Sequence, residues 1–270
     1  MLDGHPLELK QQMKYLGMVV DRRLSFKEHI AEAAAKARRT ANQLARLMPN
    51  VGGPKQLPNV VELNKVQRTS LLRSICAYGT ISETAANILA AVPPADLLAR
   101  ERSLVFHEKR AGEATGLPPR ARTFAAWRAR IAKSLTGRWT KRLVGDIEAW
   151  CNRKHGELDF HLTQVLSGHG CFGVYLQKIG KEESGKFHHC QGIADSAEHT
   201  LMECQAWEED RGRLRCAIGE DVTVENLVPA MLRSPDVWHA AKDFARAVMV
   251  VKEEAERARE IASRNSEEII

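Results

Sequence analysis

Ser234-Pro235-Asp236-Val237-Trp238-His239-Ala240-Ala241-Lys242-Asp243-Phe244 opens the longest helical pattern in the chain. Ser234 offers a hydroxyl to the first free backbone N–H groups, and Pro235 brings a φ already suited to the first helical position. Asp236 in the first turn complements the positive end of the helix dipole. Small or apolar residues then recur at Val237, Ala241, Phe244, Val248, Val251, Ala255, Ala258 and Ala262. Steps of four and three place them on one stripe. The spacing predicts a long C-terminal helix whose stripe fits a docking face or a coiled coil. Self-association through this helix is one expectation.

The same period governs most of the chain upstream. Ser25 with Glu28 forms a capping box, and Ile30, Ala34, Ala37, Ala41, Leu44 and Met48 continue it as a helix. Val51-Gly52-Gly53-Pro54 breaks that helix. Further helices are expected over about 60–77, from Ser82 to Leu89, from Pro94 to about Arg110, and around 124–135 and 139–154. Gly116-Leu117-Pro118-Pro119 reads as a linker. Trp127, Ile131 and Leu135 share helical spacing and are expected in the core. Only 8–20, ending in Met18-Val19-Val20, reads as a strand, or half of a small hairpin. The expected fold is therefore mainly α.

Of the 270 residues, 27 % are charged and 6 % aromatic, and the net charge is +6. The distribution of charge is more informative than its sum. Residues 191–270 hold 17 acidic and 10 basic side chains, a net of −7, which leaves +13 on the first 190. Within 109–142, ten basic residues stand against one acid, Glu113. A basic body suggests a polyanionic partner, RNA or DNA. Candidate phosphate contacts are Lys36, Arg38 and Arg39 on the first helix, then Arg120, Arg122, Arg128, Arg130, Lys133, Arg138, Lys141 and Arg142, interleaved with Trp127 and Trp139. No stretch reaches the roughly 18 apolar residues of a membrane span. Met1-Leu2-Asp3-Gly4-His5-Pro6 lacks the basic start and apolar run of a signal peptide. An intracellular chain is expected, acting in the nucleus if it is functional.

Six cysteines are scattered too widely for a disulfide framework. Three residues among them and the histidines carry chemistry: Cys190, His199 and Cys204. Their Cys-x8-His-x4-Cys spacing is that of a zinc knuckle, which takes four such donors. The fourth would lie three residues before Cys190, where Phe187 stands. Cys171 or Cys216 could replace it through the fold. The bland reading of the same residues is two buried thiols and a helix-terminal imidazole. Gly168-His169-Gly170-Cys171-Phe172 reads as a packed turn rather than a nucleophile.

Lys14-Tyr15-Leu16-Gly17 followed by Asp21, Leu24, Phe26 and His29-Ile30 resembles the segment after the polymerase palm of non-LTR retrotransposon reverse transcriptases. The similar elements are arthropod ones that insert into ribosomal genes or telomeric repeats. Val66-Gln67-Arg68 with Cys76-Ala77-Tyr78 and Thr80 fits the same family, as does Val92-Pro93-Pro94 with Asp96-Leu97-Leu98-Ala99. So do Thr163 to Phe172 with Tyr175-Leu176, and Cys190 with Ala197-Glu198-His199-Thr200-Leu201 and Cys204-Gln205-Ala206-Trp207. The resemblance implies a thumb-like helical region over 1–115, a basic connector over 116–180, a knuckle over 181–233 and a C-terminal helix over 234–270.

It also implies contact with an RNA template and a DNA primer. Three departures qualify that. The chain has no Asp-Asp pair, so the two-metal site of a polymerase has no ligands here. Only Lys55 to Lys65 bridge the Gly-Gly-Pro turn and Val-Gln-Arg, where the family has a longer stretch. Phe187 replaces the first knuckle cysteine. The expectation is a non-catalytic nucleic-acid-binding remnant. A helical interaction module built on the C-terminal helix and an inert fossil are the alternatives.

Overall fold

A computed structural model describes residues 60–267, except 113–117, 183, 186–188 and 191–193, together with parts of 12–39. The expected cap at Ser25, the break at Gly52-Gly53-Pro54 and the Gly116-Leu117 half of the linker lie outside the described residues. So do Lys36, Arg38, Phe187 and His188. The chain divides into two compact units, Met1–Pro58 and Asn59–Ile270. In the first, Gln12–Tyr15 (β1) pairs antiparallel with Met18–Asp21 (β2), Met13 opposite Val20 and Lys14 opposite Val19.

The second unit is helical. Among the described residues its helices are α1 Val60–Ser74, α2 Glu83–Leu89, α3 Ala95–Ala111, α4 Pro119–Lys133, α5 Arg138–Leu143, α6 Ile147–Cys151, α7 Phe160–Ser167, α8 Gly173–Lys178, α9 Ala197–Met202, α10 Glu208–Ile218, α11 Leu227–Arg233 and α12 Pro235–Glu267. The protein is mainly α. Four of the helices start where the sequence supplies a side-chain acceptor. Ser82, Asp146, Asp159 and Ser196 accept from the backbone N–H groups of Ala85, Ala149, Leu162 and His199.

α3 starts after Pro94 and has no such side chain of its own. Two residues of α1 supply the acceptors instead. The Gln67 Oε1 accepts from Ala95 N at 2.8 Å, and the Asn64 Oδ1 from Asp96 N at 3.2 Å. Gln67 Nε2 also donates to Pro93 O at 2.9 Å. The Val66-Gln67-Arg68 and Pro93-Pro94 motifs thus meet in space, and their polar residues join α1 to the start of α3.

Two expectations shift. The helix expected over 139–154 is two helices, broken at Val144-Gly145-Asp146, where the Asp146 carboxylate accepts from Ala149 N and restarts the chain. The helix expected to reach Leu135 ends at Lys133, because Ser134 turns extended. Lys141 Nζ covers its end, donating to Ile131 O at 3.3 Å and Ser134 O at 2.6 Å. Trp127 is accordingly buried, whereas Leu135 is 79 % exposed.

One core runs from Ile75 to Met249 and draws on residues either side of 115, 180 and 233. Trp150 and Trp238 stack in it with centroids 5.5 Å apart. Gly156 lies so close to the Trp238 ring that a Cβ there would fall 2.2 Å from it. α12 closes the core by packing on α7, α10 and α11. Val237, Ala241, Phe244 and Val248 face inward as the spacing predicts, with Trp238, Ala245 and Met249 beside them. The stripe then drifts: Val251 is 43 % exposed, and Lys252, 2 % exposed, takes the inner position. A straight helix turns every 3.6 residues, so a buried face slides off a 3.5-residue repeat within a few turns.

Candidate metal centre and basic surface

α9 is a two-turn helix that carries the imidazole. Ser196 caps it, and its Oγ accepts from His199 N at 3.0 Å. Cys204 follows the helix directly, its N–H donating to His199 O at 2.8 Å. Cys190 arrives from the preceding loop. The two sulfurs and one imidazole nitrogen lie within 4.8 Å of one another. The Cys190 Sγ is 3.3 Å from His199 Nε2, and His199 Nδ1 is 3.4 Å from a Glu203 carboxylate oxygen. A carboxylate on the far nitrogen of an imidazole is the usual second partner of a metal-binding histidine.

Cys204 is fully buried. Burial first, and Cys190 beside it, push its thiol up to about 11. Two sulfurs and an imidazole fit a zinc ion, which would hold them as thiolates and neutral histidine. Neither proposed fourth donor joins them. Cys171 donates its S–H to Glu256 at 2.7 Å, and Cys216 lies exposed on α10.

The structure gives the nine described residues of the eleven basic candidates very different settings. Arg39 is helical and exposed. Arg130 is bidentate to the buried Asp96, at 2.7 and 2.5 Å. Arg122 pairs with Glu108 at 2.7 Å, Arg120 with Glu101 at 3.4 Å, and Arg128 with Glu148. Arg142 is bidentate to Glu198, both bonds at 2.7 Å. Lys141 is spent on the end of α4, as described. Among the described residues, Lys133 and Arg138 are exposed and carry no ion pair. Arg130 and Lys141 are thus structural. The exposed pairs of Arg128 and Arg142 are weak, about 0–1 kcal/mol each, and open to exchange with a phosphate.

Between α5, the α7–α8 turn and the start of α9 lies a cleft of about 750 Å³. Trp139, His169, Phe172 and Tyr175 give it rings, and Arg138, Arg142 and Lys178 give it cations. Trp139 is fixed by its Nε1–H, which donates to Val165 O at 2.8 Å. Thr80 bridges the opposite wall, its Oγ1 2.5 Å from the Tyr175 hydroxyl and 3.1 Å from His169 Nδ1. Burial holds His169 down to about 4, so it is neutral at pH 7.

Two elements of the site escape a sequence reading. Lys178 lies outside the 109–142 basic run that marks most of the other candidates. Lys252 lies on an apparently apolar stripe, yet its Nζ binds both oxygens of buried Asp195, at 2.6 and 2.8 Å. Asp195 in turn accepts from Gly173 N at 3.0 Å and from the Thr200 hydroxyl at 3.3 Å. One carboxylate so ties α12 to the start of α8 and to the helix that carries His199.

No family model matches the chain, and no solved structure does. Two curated proteins of Nasonia vitripennis are similar to it. One is a retrovirus-related Pol polyprotein from type-1 retrotransposable element R1 2, 29 % identical over 104 residues, or 37 % of this chain and 25 % of that protein. The other is the corresponding polyprotein from element R1 4, 27 % identical over 133 residues, or 49 % of this chain and 34 % of that protein. The chain thus spans about a quarter to a third of the curated relatives it matches. These similarities support a protein derived from a non-LTR retrotransposon, as the ordered motifs imply. No described helix is long and apolar enough to cross a membrane.

Proposed function

We propose that this chain is a non-catalytic, nucleic-acid-binding part of a retrotransposon polyprotein. The observation that carries the reading is the convergence of Cys190, His199 and Cys204 in a chain similar to Pol polyproteins. A zinc ion there would supply a cross-link, holding the loop that carries Cys190 against α9. The chain's own residues supply the binding. Among the described residues, Arg39, Lys133, Arg138 and Lys178 present cations without ion pairs, and Arg128 and Arg142 present exposed, exchangeable ones. These contact phosphate and do not read sequence. With no Asp-Asp pair in the sequence, this segment contributes positioning and leaves phosphoryl transfer to other parts of such a polyprotein.

The test is affinity for single-stranded RNA and duplex DNA across a salt series. Binding is expected to weaken linearly in log salt. Lys133, Arg138 and Lys178 alone predict a slope of about −2 on a single strand, and exchange at Arg128 and Arg142 steepens it to about −3.5. Lys133→Gln with Arg138→Gln should flatten it, and Arg130→Gln should unfold the protein before it alters the slope. A folded protein that binds neither ligand at low salt would sink the reading.

A further inference from the structure

We propose that the cleft beside α5 receives one unpaired base, with its phosphate, from a single-stranded nucleic acid, a reading that rests on the nucleic-acid-binding function above. The volume suits such a ligand, since sites for small organic groups span roughly 300–1,000 Å³. The lining has two zones. Inside are ring faces: Trp139, held by its bond to Val165 O, and the His169–Tyr175 pair, whose centroids are 4.7 Å apart. At the rim are Arg138 and Lys178, exposed and without ion pairs among the described residues. Arg142 adds a third cation 5.7 Å from the Trp139 ring, while its partner Glu198 is the one carboxylate in the lining.

Rings within and cations outside are the order of parts that a base on a phosphate backbone requires. An acidic peptide would use the cations and leave the rings idle. A base still paired in a duplex is screened by its own backbone, so an unpaired one is the ligand that reaches both zones. Ser82, Thr136 and Ser167 also line the cleft, their hydroxyls bonded to Ala85 N, Thr84 and Gln164 O. Two left-handed glycines shape the opening. At Gly137 a Cβ would meet Ala85 at 3.2 Å, and at Gly168 it would meet Trp139 at 3.2 Å.

The experiment compares the full chain's affinity for an intact strand and for an abasic strand of equal length, in ribose and deoxyribose forms. A 2-aminopurine in the intact strand reports stacking. The intact strand is expected to bind at least about fivefold more tightly, the low end of what one stacked base contributes. The 2-aminopurine should be quenched on binding. Val174→Trp, at an exposed position in the lining, should erase the ratio and the quenching, and Lys178→Gln should weaken both strands alike and keep the ratio, while circular dichroism stays unchanged in each. Equal affinity for intact and abasic strands overturns the cleft and leaves the phosphate-binding function standing. A ratio that survives Val174→Trp also overturns it, by placing the base elsewhere. Full competition by a nucleoside monophosphate at equal base concentration overturns the single strand as the ligand. Loss of binding to both strands at low salt takes down the parent reading too.

Discussion

Lys252 shows how much one residue can carry. It is 2 % exposed, and without Asp195 its charge would have no place in the core. Lys252→Met alone should cost about 3–5 kcal/mol in urea unfolding, because Asp195 stays buried without its cation. Adding Asp195→Asn should recover at least half of that loss, and a double variant no better than the single one would refute the pairing. Asp96 makes the second case. Burial raises its affinity for a proton, but the bonds from Arg130 and Asn64 outweigh burial and hold its carboxyl below the usual range. A depressed folded value means stability that is present above the ordinary carboxylate range and lost as pH falls through the folded value. Asp96→Asn should cost about 2 kcal/mol at pH 7, less than a fully buried pair because Arg130 keeps solvent contact. The variant should then lose less than the wild type on going from pH 7 to pH 3. At this scale the Cys-His-Cys cluster was legible and the core charges were not. Cys190, His199 and Cys204 sit within one short stretch, where spacing has meaning. Lys252 and Asp195 are 57 residues apart, and only the fold brings them together.

Helices were legible where a single residue announces them. Ser82 and Ser234 each mark a start that the structure keeps, whereas the helix expected around 124–135 starts earlier, at Pro119 inside the expected linker. The break at 144–146 was hidden because Asp146 interrupts a pattern whose apolar residues, Leu143, Ile147 and Trp150, keep helical spacing on both sides. The far end of α12 was misjudged for a similar reason, since repeats of 3.5 and 3.6 coincide over the first turns. The two positions that separate them give a direct check. Met249→Ala, at a fully buried site, should cost about 2–5 kcal/mol. Val251→Ser should change stability by no more than about 0.5 kcal/mol. Equal costs at the two positions would mean that the heptad-like stripe is the buried one. Gly168 ends α7 in the left-handed region, φ +70°. Gly168→Ala should cost about 1–2 kcal/mol for that conformation, plus the crowding of Trp139. A melting temperature equal to the wild type's would argue against the turn.

Across the whole molecule, charge separates along the sequence but mixes in space. The acidic last third folds back on the basic middle. Arg142 meets Glu198, Lys181 meets Glu256 and Glu260, and Glu182 meets Arg259. Among the described residues these pairs take up part of the basic charge. A salt slope of about −6 or steeper would show that cations beyond Lys133, Arg138, Lys178, Arg128 and Arg142 reach phosphate. A zinc ion at the proposed site would act at the same scale. One equivalent should raise the melting temperature, and a chelator should reverse the gain, since a ligand that binds only the folded chain stabilises it by mass action. Cys204→Ser should abolish the response, and Cys216→Ser should leave it intact.

Because α12 follows α7, α10 and α11 in the chain and its inner face closes on them, order of synthesis matters. A ribosome releases a chain from the N-terminus, at about 5–20 residues per second. Everything from Ile75 to Val228 has left the ribosome before Trp238, Val248 and Lys252 emerge to cover it. Asp195 waits without its ammonium, and α7 without its cover, until α12 is made. Premature termination before Lys252 would thus yield a nascent chain that exposes its core, a substrate for chaperones and proteases rather than a shortened binder.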